Sequence, residues 1–375
     1  MNPHPLRAAL ALTTALAASL ALVSCASEGL YLQEWPEPPE PSLALPNGST
    51  LIPATADAGE DVLPKDSGEP FGSLRPNRSP DTGEEVSPNR RVPEIIERGR
   101  LVVGVAQSLN RLGFRDPVTK NMAGFEVDLA HEIARDIFGD PDRVEFRFVE
   151  GTGRENALAE GTVDLVLRTM TVTRDRQTEV EFSVPYLTTY PRSLVMRNSG
   201  IHSEADLTDR SVCVTVDSTN LLELRRLDSH GDILTTQTWS DCLLAMQRQQ
   251  VDAIFSDSAI LSGLQSQDPY TEIVGTATDA SQYAVAAALP QQRDSSSLVR
   301  QVNSTMERIR SDGTWDRLYQ QWMQDYLGDG SAPDMKYRTA DDTRELAALR
   351  HQALQDAADS AAESEAEIEE DNNEQ

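Results

Sequence analysis

Residues 101–138 read LVVGVAQSLNRLGFRDPVTKNMAGFEVDLAHEIARDIF. The run Leu101–Val105 is short, apolar and rich in β-branched residues, which is typical of a buried strand. After a polar loop, apolar side chains recur at helical spacing at Val127, Ala130 and Ile137. This stretch therefore predicts a strand that leads through a loop into an amphipathic helix.

The same alternation of strand and helix continues along the chain in two rounds. The pattern predicts strands at 144–149, 164–167, 211–216, 233–237, 253–256 and 283–289. It predicts helices near 154–160, 220–227, 239–249, 259–266, 298–309 and 314–326. Alternating units of this kind favour an α/β fold with parallel sheets whose two faces are covered.

An overall charge of −28 separates this chain from nucleic-acid-binding proteins. Its 375 residues include 61 acidic and 33 basic side chains, whereas binding to a phosphate backbone needs a basic surface. Much of the excess lies in the flanks: residues 26–92 carry twelve acidic and five basic side chains, and residues 341–375 carry twelve and two. The folded part is expected at about 93–327, which is enough chain to bury one or two cores.

The N-terminus has the pattern of an export signal. Arg7 precedes an uncharged run rich in Leu and Ala from Ala8 to Val23, too short to favour a membrane-spanning helix. The run ends at Leu22-Val23-Ser24-Cys25, which resembles a bacterial lipobox. The resemblance implies a lipoprotein signal peptide at 1–24, acylation of Cys25 and an extracytoplasmic protein anchored to the outer face of the cytoplasmic membrane. An ordinary secretory signal with an incidental cysteine is the alternative.

Both flanks of the folded part are expected to be largely disordered. Residues 26–92 hold 11 of the 21 prolines, which favour extended and solvated chain, so 25–92 is predicted to be a linker. The tail 328–375 is acidic. Leu346, Leu349 and Leu354 are spaced for a short surface helix, and residues 360–375 are expected to be disordered by their charge.

Six short motifs occur in order along the chain: Gly124–Ala130, Val163–Leu165, Thr169–Arg176, Phe182–Tyr186, Val251–Ala253 and Asp312–Trp315. Together they resemble the motifs of extracytoplasmic proteins that bind polar amino acids such as glutamine, histidine and glutamate. Each motif alone is weak, but the resemblance covers about 100–327 in register. The pattern is most similar to that of lipoproteins of high-GC Gram-positive bacteria that bind glutamate or aspartate.

This resemblance implies a two-lobe, periplasmic-binding-protein-like fold that closes on its ligand. The first lobe is then 93–191 plus 290–327 and the second is 198–282, with hinge crossings at 192–197 and 283–289. The implied function is binding without a cofactor, followed by delivery to an ABC permease or by signalling. In the similar branch a membrane protein relays nutrient sensing to a cytoplasmic Ser/Thr kinase. A dehydratase or peptidoglycan lyase on the same fold is the alternative of another class.

Four residues match the family positions that hold the amino-acid backbone of the ligand. Arg176 matches the carboxylate clamp, which suits the planar fork of a guanidinium. Thr169 and Thr171 match positions that offer hydroxyl or backbone groups, and Asp257 matches the carboxylate that meets the ligand ammonium. The alternatives are an ion pair of Arg176 with Glu179 or Glu181, plain strand propensity for the threonines, and a solvated helix N-cap for Asp257.

Ser218 and Thr219 match a small-residue turn that opens a helix, whose free N–H groups receive the ligand carboxylate. This chain departs from the pattern, since Asp217 stands where glycine is usual. An anion facing such a turn is unfavourable. Either Asp217 turns to solvent or the clamp is displaced.

Selectivity for an acidic side chain needs further cations near the ligand. The candidates are Arg111, Arg154 and Arg168. An arginine near the position of Arg154 reaches the side-chain carboxylate in the relatives that bind glutamate or aspartate, and Arg168 replaces a small residue. We therefore favour this pair over Arg111, with surface arginines as the alternative.

The cysteines predict a disulfide bond. With Cys25 acylated, Cys213 and Cys242 remain in an oxidising compartment and are expected to pair, although two buried free thiols are the alternative. Histidines 131, 202, 230 and 351 are scattered without ligand spacing, so no metal site is predicted.

Overall fold

The computed structural model describes residues 44–54, 68–77, 86–227, 230–277, 279–290, 292 and 295–373. Its strands are β1 (Thr50–Ile52), β2 (Leu101–Val105), β3 (Ser108–Leu109), β4 (Gly113–Arg115), β5 (Met122–Ala123), β6 (Val144–Phe148), β7 (Leu165–Leu167), β8 (Glu181–Thr189), β9 (Pro191–Met196), β10 (Val212–Thr215), β11 (Ile233–Thr236), β12 (Ala253–Asp257), β13 (Thr271–Val274) and β14 (Ser281–Ala287). Its helices are α1 (Pro88–Arg91), α2 (Pro93–Arg98), α3 (Phe125–Phe138), α4 (Arg154–Ala159), α5 (Arg176–Glu179), α6 (Thr219–Arg226), α7 (Trp239–Gln247), α8 (Ser258–Gln265), α9 (Ser296–Ser311), α10 (Thr314–Trp322), α11 (Gln324–Leu327) and α12 (Ala340–Asn373). The predicted strands and helices of the central part are confirmed within a few residues. The short strands β3 to β5, together with β8 and β13, are additional.

The first lobe is built on a five-stranded mixed sheet in the order β6-β2-β7-β14-β8. β2 pairs in parallel with β6 and β7, and β14 pairs antiparallel with β7 and β8. All five residues of β2 are buried, as its apolar run requires. Helices α3, α9 and α10 pack together beside this sheet.

The second lobe contains a six-stranded sheet in the order β1-β11-β10-β12-β9-β13. β10 lies parallel to β11 and β12. β9 runs antiparallel to both of its neighbours, β12 and β13. Helices α6 and α7 pack on β10 and β12, and α8 packs on β9 and β13. The molecule is therefore the expected α/β fold with two lobes.

The chain crosses between the two sheets at short connections. Tyr190 alone links β8 in the first sheet to β9 in the second, and residues 275–280 lead back from β13 to β14. The predicted crossings at 192–197 and 283–289 are misplaced by a few residues, because 192–196 lie in β9 and 283–287 lie in β14. Their apolar, β-branched character reflects burial within a sheet, whereas the connections are short and irregular.

Parts of the expected linker are ordered on both lobes. β1 pairs antiparallel with β11, where Thr50 lies opposite Thr235 and Ile52 lies opposite Ile233. On the first lobe, the amide of Ser73 donates to the carbonyl of Lys336 (2.9 Å), and Leu74 is buried. The prediction of disorder throughout 25–92 is wrong here, because apolar residues between the prolines complete a sheet and a core. Cys25 and the signal peptide lie outside the described residues.

The C-terminal tail also differs from the expectation. Residues 328–339 run without regular helix, and α12 then spans Ala340–Asn373, including most of the part expected to be disordered. Leu346 is buried, whereas Leu354 is exposed. The high helix propensity of Ala, Glu and Gln outweighs the repulsion between the acidic side chains.

Cys213 in β10 and Cys242 in α7 form the predicted disulfide bond, with 5.5 Å between their Cα atoms. It joins a helix to the central strand of the second sheet. In the described part of the chain, no helix is both long and apolar enough to cross a bilayer. Among those residues, no group of three His, Cys, Asp or Glu side chains is placed to hold a metal ion.

Candidate functional site

A polar cavity lies between the two lobes, where several strands end. β7, β10 and β12 finish beside it, and binding sites in α/β proteins form at such carboxyl ends. Its volume is about 50 Å³. The residues that line it from the first lobe include Ser108, Glu150, Arg154, Arg168, Thr169, Thr171 and Arg176, and those from the second lobe include Thr215, Asp217, Ser218, Thr219, Asn220, Gln237, Trp239 and Asp257.

Arg176, the first residue of α5, reaches across this cavity. Its Nη1 donates to the carbonyl of Thr171 in the same lobe (3.1 Å), and its Nη2 donates to the carbonyl of Asp217 in the other (3.2 Å). Burial, together with repulsion from Arg154, lowers the pKa of Arg176 to about 10, so the group stays charged at neutral pH. Glu181, one partner in the alternative interpretation, is bound instead by two arginines of the C-terminal tail.

The side chain of Asp217 turns to solvent, which is the first of the two alternatives that the sequence left open. Its φ is +58°, in the left-handed region that favours glycine and is tolerated by aspartate. Its side chain is exposed, while its carbonyl oxygen faces Arg176. The substitution of the usual glycine therefore leaves the turn intact and places the carboxylate in solvent.

The start of α6 supplies hydrogen-bond donors to the second-lobe wall. Ser218 is the N-cap, and its Oγ accepts from the amide of Leu221 (3.2 Å) and donates to the carbonyl of Thr215 (2.8 Å). Thr219 follows as the first helical residue and lines the cavity. Because the first N–H groups of a helix have no partner within it, this end of α6 suits an anion.

Asp257 is the buried carboxylate of the second-lobe wall. It is 2% exposed, and its Oδ2 accepts from the hydroxyl of Tyr283 (2.6 Å) and the amide of Asn220 (3.3 Å). Within the described residues its Oδ1 has no hydrogen-bond partner. Although Asp257 precedes α8, its side chain makes no capping bond, which differs from the N-cap alternative. Burial raises its pKa, and a cationic partner in the cavity would offset that cost.

Two further guanidinium groups lie beside Arg176. Arg154 begins α4 and is 6% exposed, and Arg168 follows β7 directly. Burial and the charge of Arg154 lower the pKa of Arg168 to about 10. The Nε atoms of both side chains have no hydrogen-bond partner among the described residues. Three guanidinium groups thus line one cavity, where an anion would offset the repulsion between them.

Thr169 and Thr171 shape the first-lobe wall mainly through their backbone. Thr169 has a φ of +44°, an outlier for a β-branched residue, and its amide donates to Oε1 of Glu126 (2.6 Å). The hydroxyl of Tyr186 donates to the same oxygen of this fully buried carboxylate. Burial raises the pKa of Glu126. The carbonyl of Thr171 accepts from Arg176.

Arg111 does not line the cavity, contrary to its inclusion among the candidates. Its Nη1 donates to the carbonyl of Trp322 (2.7 Å), and its guanidinium lies 4.1 Å from the ring centre of Tyr326. It joins the loop between β3 and β4 to the C-terminal helices of the first lobe. Residue type alone does not distinguish an arginine in this loop from one in the cavity, because the fold determines which side chains each one contacts.

Sequence reasoning missed several residues of the cavity wall. Asn220 lies next to the proposed anion-binding turn and reaches Asp257, and Gln237 and Trp239 come from the loop after β11 and the start of α7. Only their positions in the sequence could have indicated these residues, since each follows the end of a parallel strand. Glu126 lies within the motif Gly124–Ala130, but the hydrogen bond that it accepts from Thr169 depends on the fold.

Comparison with known proteins gives a match at the level of family. The model of "bacterial extracellular solute-binding proteins, family 3" matches residues 101–325. The ABC transporter glutamine-binding protein GlnH of Bacillus subtilis is 28% identical over 232 residues, 62% of this chain and 84% of the relative. A glutamine-binding protein of Geobacillus stearothermophilus is 31% identical (52% and 75%), and the glutamate-binding protein GluB of Corynebacterium glutamicum is 28% identical (60% and 78%).

Solved structures give the same result. A mutant of ArgBP from T. maritima has 26% identity and a TM-score of 0.56, over 62% of this chain and 99% of that one. An ancestral arginine-binding protein bound to glutamine has 28% identity and a TM-score of 0.55, over 62% and 99%. The similarity spans both lobes but not the flanking segments.

Proposed function

Because the chain belongs to the bacterial extracellular solute-binding proteins, family 3, we propose that it binds an acidic amino acid between its lobes. Glutamate and aspartate are favoured, and asparagine or glutamine are weaker ligands. One observation carries this proposal: Arg154, Arg168 and Arg176 line a single cavity opposite the buried carboxylate of Asp257.

The charges of the cavity match the charges of such a ligand. Arg176 and the start of α6 receive the α-carboxylate, and the free Oδ1 of Asp257 accepts from the ammonium group. Arg154 and Arg168 receive the side-chain carboxylate. Burial lowers the pKa of Arg168 despite the nearby carboxylates of Glu126 and Glu150, and a ligand carboxylate would offset this cost of burial more than a neutral amide would. This difference favours glutamate over glutamine.

Binding is coupled to movement of the lobes. Arg176 of the first lobe is bonded across the cavity to the Asp217 carbonyl of the second, so we expect the lobes to separate when a ligand enters. Opening breaks the bond between Arg176 and the Asp217 carbonyl, and a carboxylate then takes the place of that acceptor. A ligand that contacts both lobes favours the closed form by its differential affinity.

We infer that the closed form is presented to a membrane protein. The name of the B. subtilis relative supports delivery to the permease of an ABC transporter. Anchoring through Cys25, signalling to a Ser/Thr kinase and the absence of enzymatic activity are further predictions. Co-purification of the full chain with either a permease or a sensor protein distinguishes import from signalling.

A panel of the twenty amino acids in a thermal-shift assay tests the ligand. A ligand that binds only the folded state raises the melting temperature by mass action. We expect the largest rises for L-glutamate and L-aspartate and smaller ones for their amides. A panel in which a basic or apolar amino acid gives the largest rise contradicts the proposed specificity.

A further inference from the structure

The C-terminal extension beyond the family match folds back onto the first lobe. The amide of Arg338 donates to the carbonyl of Ser73 (3.0 Å), which fixes the chain before α12 begins. α12 then packs against α5, and Leu346 on α12 is buried. The short helix that begins with Arg176 is thus in contact with the tail.

Two arginines of this extension hold one buried carboxylate. Glu181, which follows α5 at the start of β8, is 2% exposed. Arg338 donates to both of its oxygens, at 3.0 and 2.9 Å, and Arg350 donates to Oε2 at 3.2 Å. Both guanidinium groups are nearly buried, so the three side chains form a charged network in the interior, in which either arginine can pair with Glu181.

Arg350 also binds the backbone of α5 itself. Its Nε donates to the carbonyl of Gln177 (2.8 Å), and its Nη2 donates to the carbonyl of Val180 (3.2 Å). α5 has four residues, and a single helical turn is not stable by its own hydrogen bonds. Cations stabilise the last carbonyls of a helix. The position of this turn therefore depends on Arg350.

The N-terminal flank holds α5 from a second direction. The side-chain amide of Gln177 donates to and accepts from the backbone of Phe71, at 2.9 Å in each case. Arg174, just before α5, pairs with Glu345 of α12 and lies 4.4 Å from the ring centre of Phe71. Segments outside the family match thus hold the loop that carries Arg176.

We propose that Arg350, with Arg338 and Glu181, positions Arg176 for the ligand carboxylate, so that the C-terminal extension sets the affinity for the amino acid. The proposal rests on the proposed function. Arg350 acts through α5 and does not line the cavity. An extension with a purely structural role would change the stability of the protein but not its affinity.

The test is a pair of matched variants of the full chain, titrated with L-glutamate by calorimetry. We expect Arg350→Ala to raise the Kd at least tenfold. Arg344→Ala is the control, because Arg344 lies on the same helix with a side chain that is 73% exposed, and its Kd should match that of the wild type. If Arg350→Ala does not fold, Arg350→Gln is measured under the same criterion, since its amide can still donate to one carbonyl.

Repeating the substitution in an Arg176→Lys background shows whether Arg350 acts through the clamp. We expect the tenfold loss to shrink to less than twofold, because the bidentate contact is already absent. An unchanged Kd in Arg350→Ala, or an equal loss in both backgrounds, overturns the proposal. A wild-type chain that does not bind L-glutamate overturns the proposed specificity instead, and the inference that rests on it.

Discussion

Arg176 in the first lobe donates a hydrogen bond from Nη2 to the backbone carbonyl of Asp217 in the second lobe, over 3.2 Å. A neutral carbonyl is a weaker acceptor for a guanidinium than a carboxylate is. On the proposed function, we therefore expect the guanidinium of Arg176 to bind a ligand carboxylate more strongly than it binds this carbonyl. Since the acceptor is a backbone atom, the bond is available whichever side chain stands at position 217.

Replacing Arg176 with methionine should abolish most of the binding. Truncating one partner of a buried, hydrogen-bonded charge pair costs about 2 to 5 kcal/mol, so we expect the Kd for L-glutamate to rise by at least about 30-fold in calorimetry. The melting temperature without ligand should change little, because the substitution removes a buried charge repelled by Arg154 but also the hydrogen bonds to the carbonyls of Thr171 and Asp217. Arg147→Met on the exposed side of β6 is the control and should bind normally.

Replacing Arg154 or Arg168 with glutamine should change the selectivity of the site. We expect the affinity for L-glutamate to fall at least tenfold and the affinity for L-glutamine to change less, because the amide does not need a guanidinium partner. Arg111→Gln provides the comparison. Its contacts with Trp322 and Tyr326 lie outside the cavity, so this variant should melt earlier but keep the wild-type ratio of the two affinities. If the ratio of the affinities for L-glutamate and L-glutamine changes only in Arg111→Gln, the assignment of Arg154 and Arg168 to the side-chain carboxylate is wrong.

Glu223 on α6 should make stability depend on pH near neutrality. Burial and the neighbouring charge of Asp257 raise the pKa of Glu223 from 4.5 to about 7. The folded state therefore binds a proton more tightly than the unfolded state between these values, and the stability contributed by this group falls as pH rises through that window. Because the side chain is partly exposed, we expect Glu223→Gln to gain only about 1 to 2 kcal/mol over the wild type at pH 8.

At pH 4.5 that gain should have disappeared, since the wild-type carboxyl is then protonated in the folded state. Urea denaturation of both proteins at the two pH values measures the difference, and the comparison at each pH removes the contribution of all other groups. A gain that is equal at both pH values contradicts the assignment.

Replacing Cys213 and Cys242 together with serine should destabilise the second lobe. For a sequence separation of 29 residues, the chain-entropy model gives roughly 3 to 4 kcal/mol. Chemical denaturation measures the loss. The bond joins β10 to α7 and neither cysteine lines the cavity, so the Kd for L-glutamate below the unfolding transition should stay within twofold. A large loss of affinity in a folded protein would show that α7 is positioned by the disulfide for binding.

The sequence was sufficient to predict the elements whose burial is visible as a local run or repeat of apolar residues. Leu101–Val105 is a strand as predicted, because a short run of apolar, β-branched residues is typical of a strand that is buried on both faces. The disulfide was predictable because only two cysteines remain after Cys25. In contrast, the true crossing at Tyr190 has no compositional signal, since a single connecting residue makes no pattern.

The contacts of the side chains in the candidate site could be assigned only from the folded structure. The family resemblance favoured Arg154 and Arg168 over Arg111, but only the tertiary contacts show that Arg111 binds Trp322 while the other two line the cavity. The orientation of Asp217 depends on the sign of its φ angle, which composition does not determine. The flanks were misjudged for a related reason: Leu74 and Leu346 lie in segments that are mostly polar, and their burial depends on surfaces provided by the folded lobes.

β1 also has a practical consequence for anyone who shortens the protein. A fragment cut to the family match at 101–325 would lack β1 and leave the open edge of β11 with unpaired backbone groups between Ile233 and Thr235. Exposed edges of this kind recruit strands from other molecules and cause aggregation. The same cut would remove Arg338 and Arg350 and leave Glu181 without its counter-ions. The smallest soluble fragment should therefore begin near residue 44 and end no earlier than residue 350.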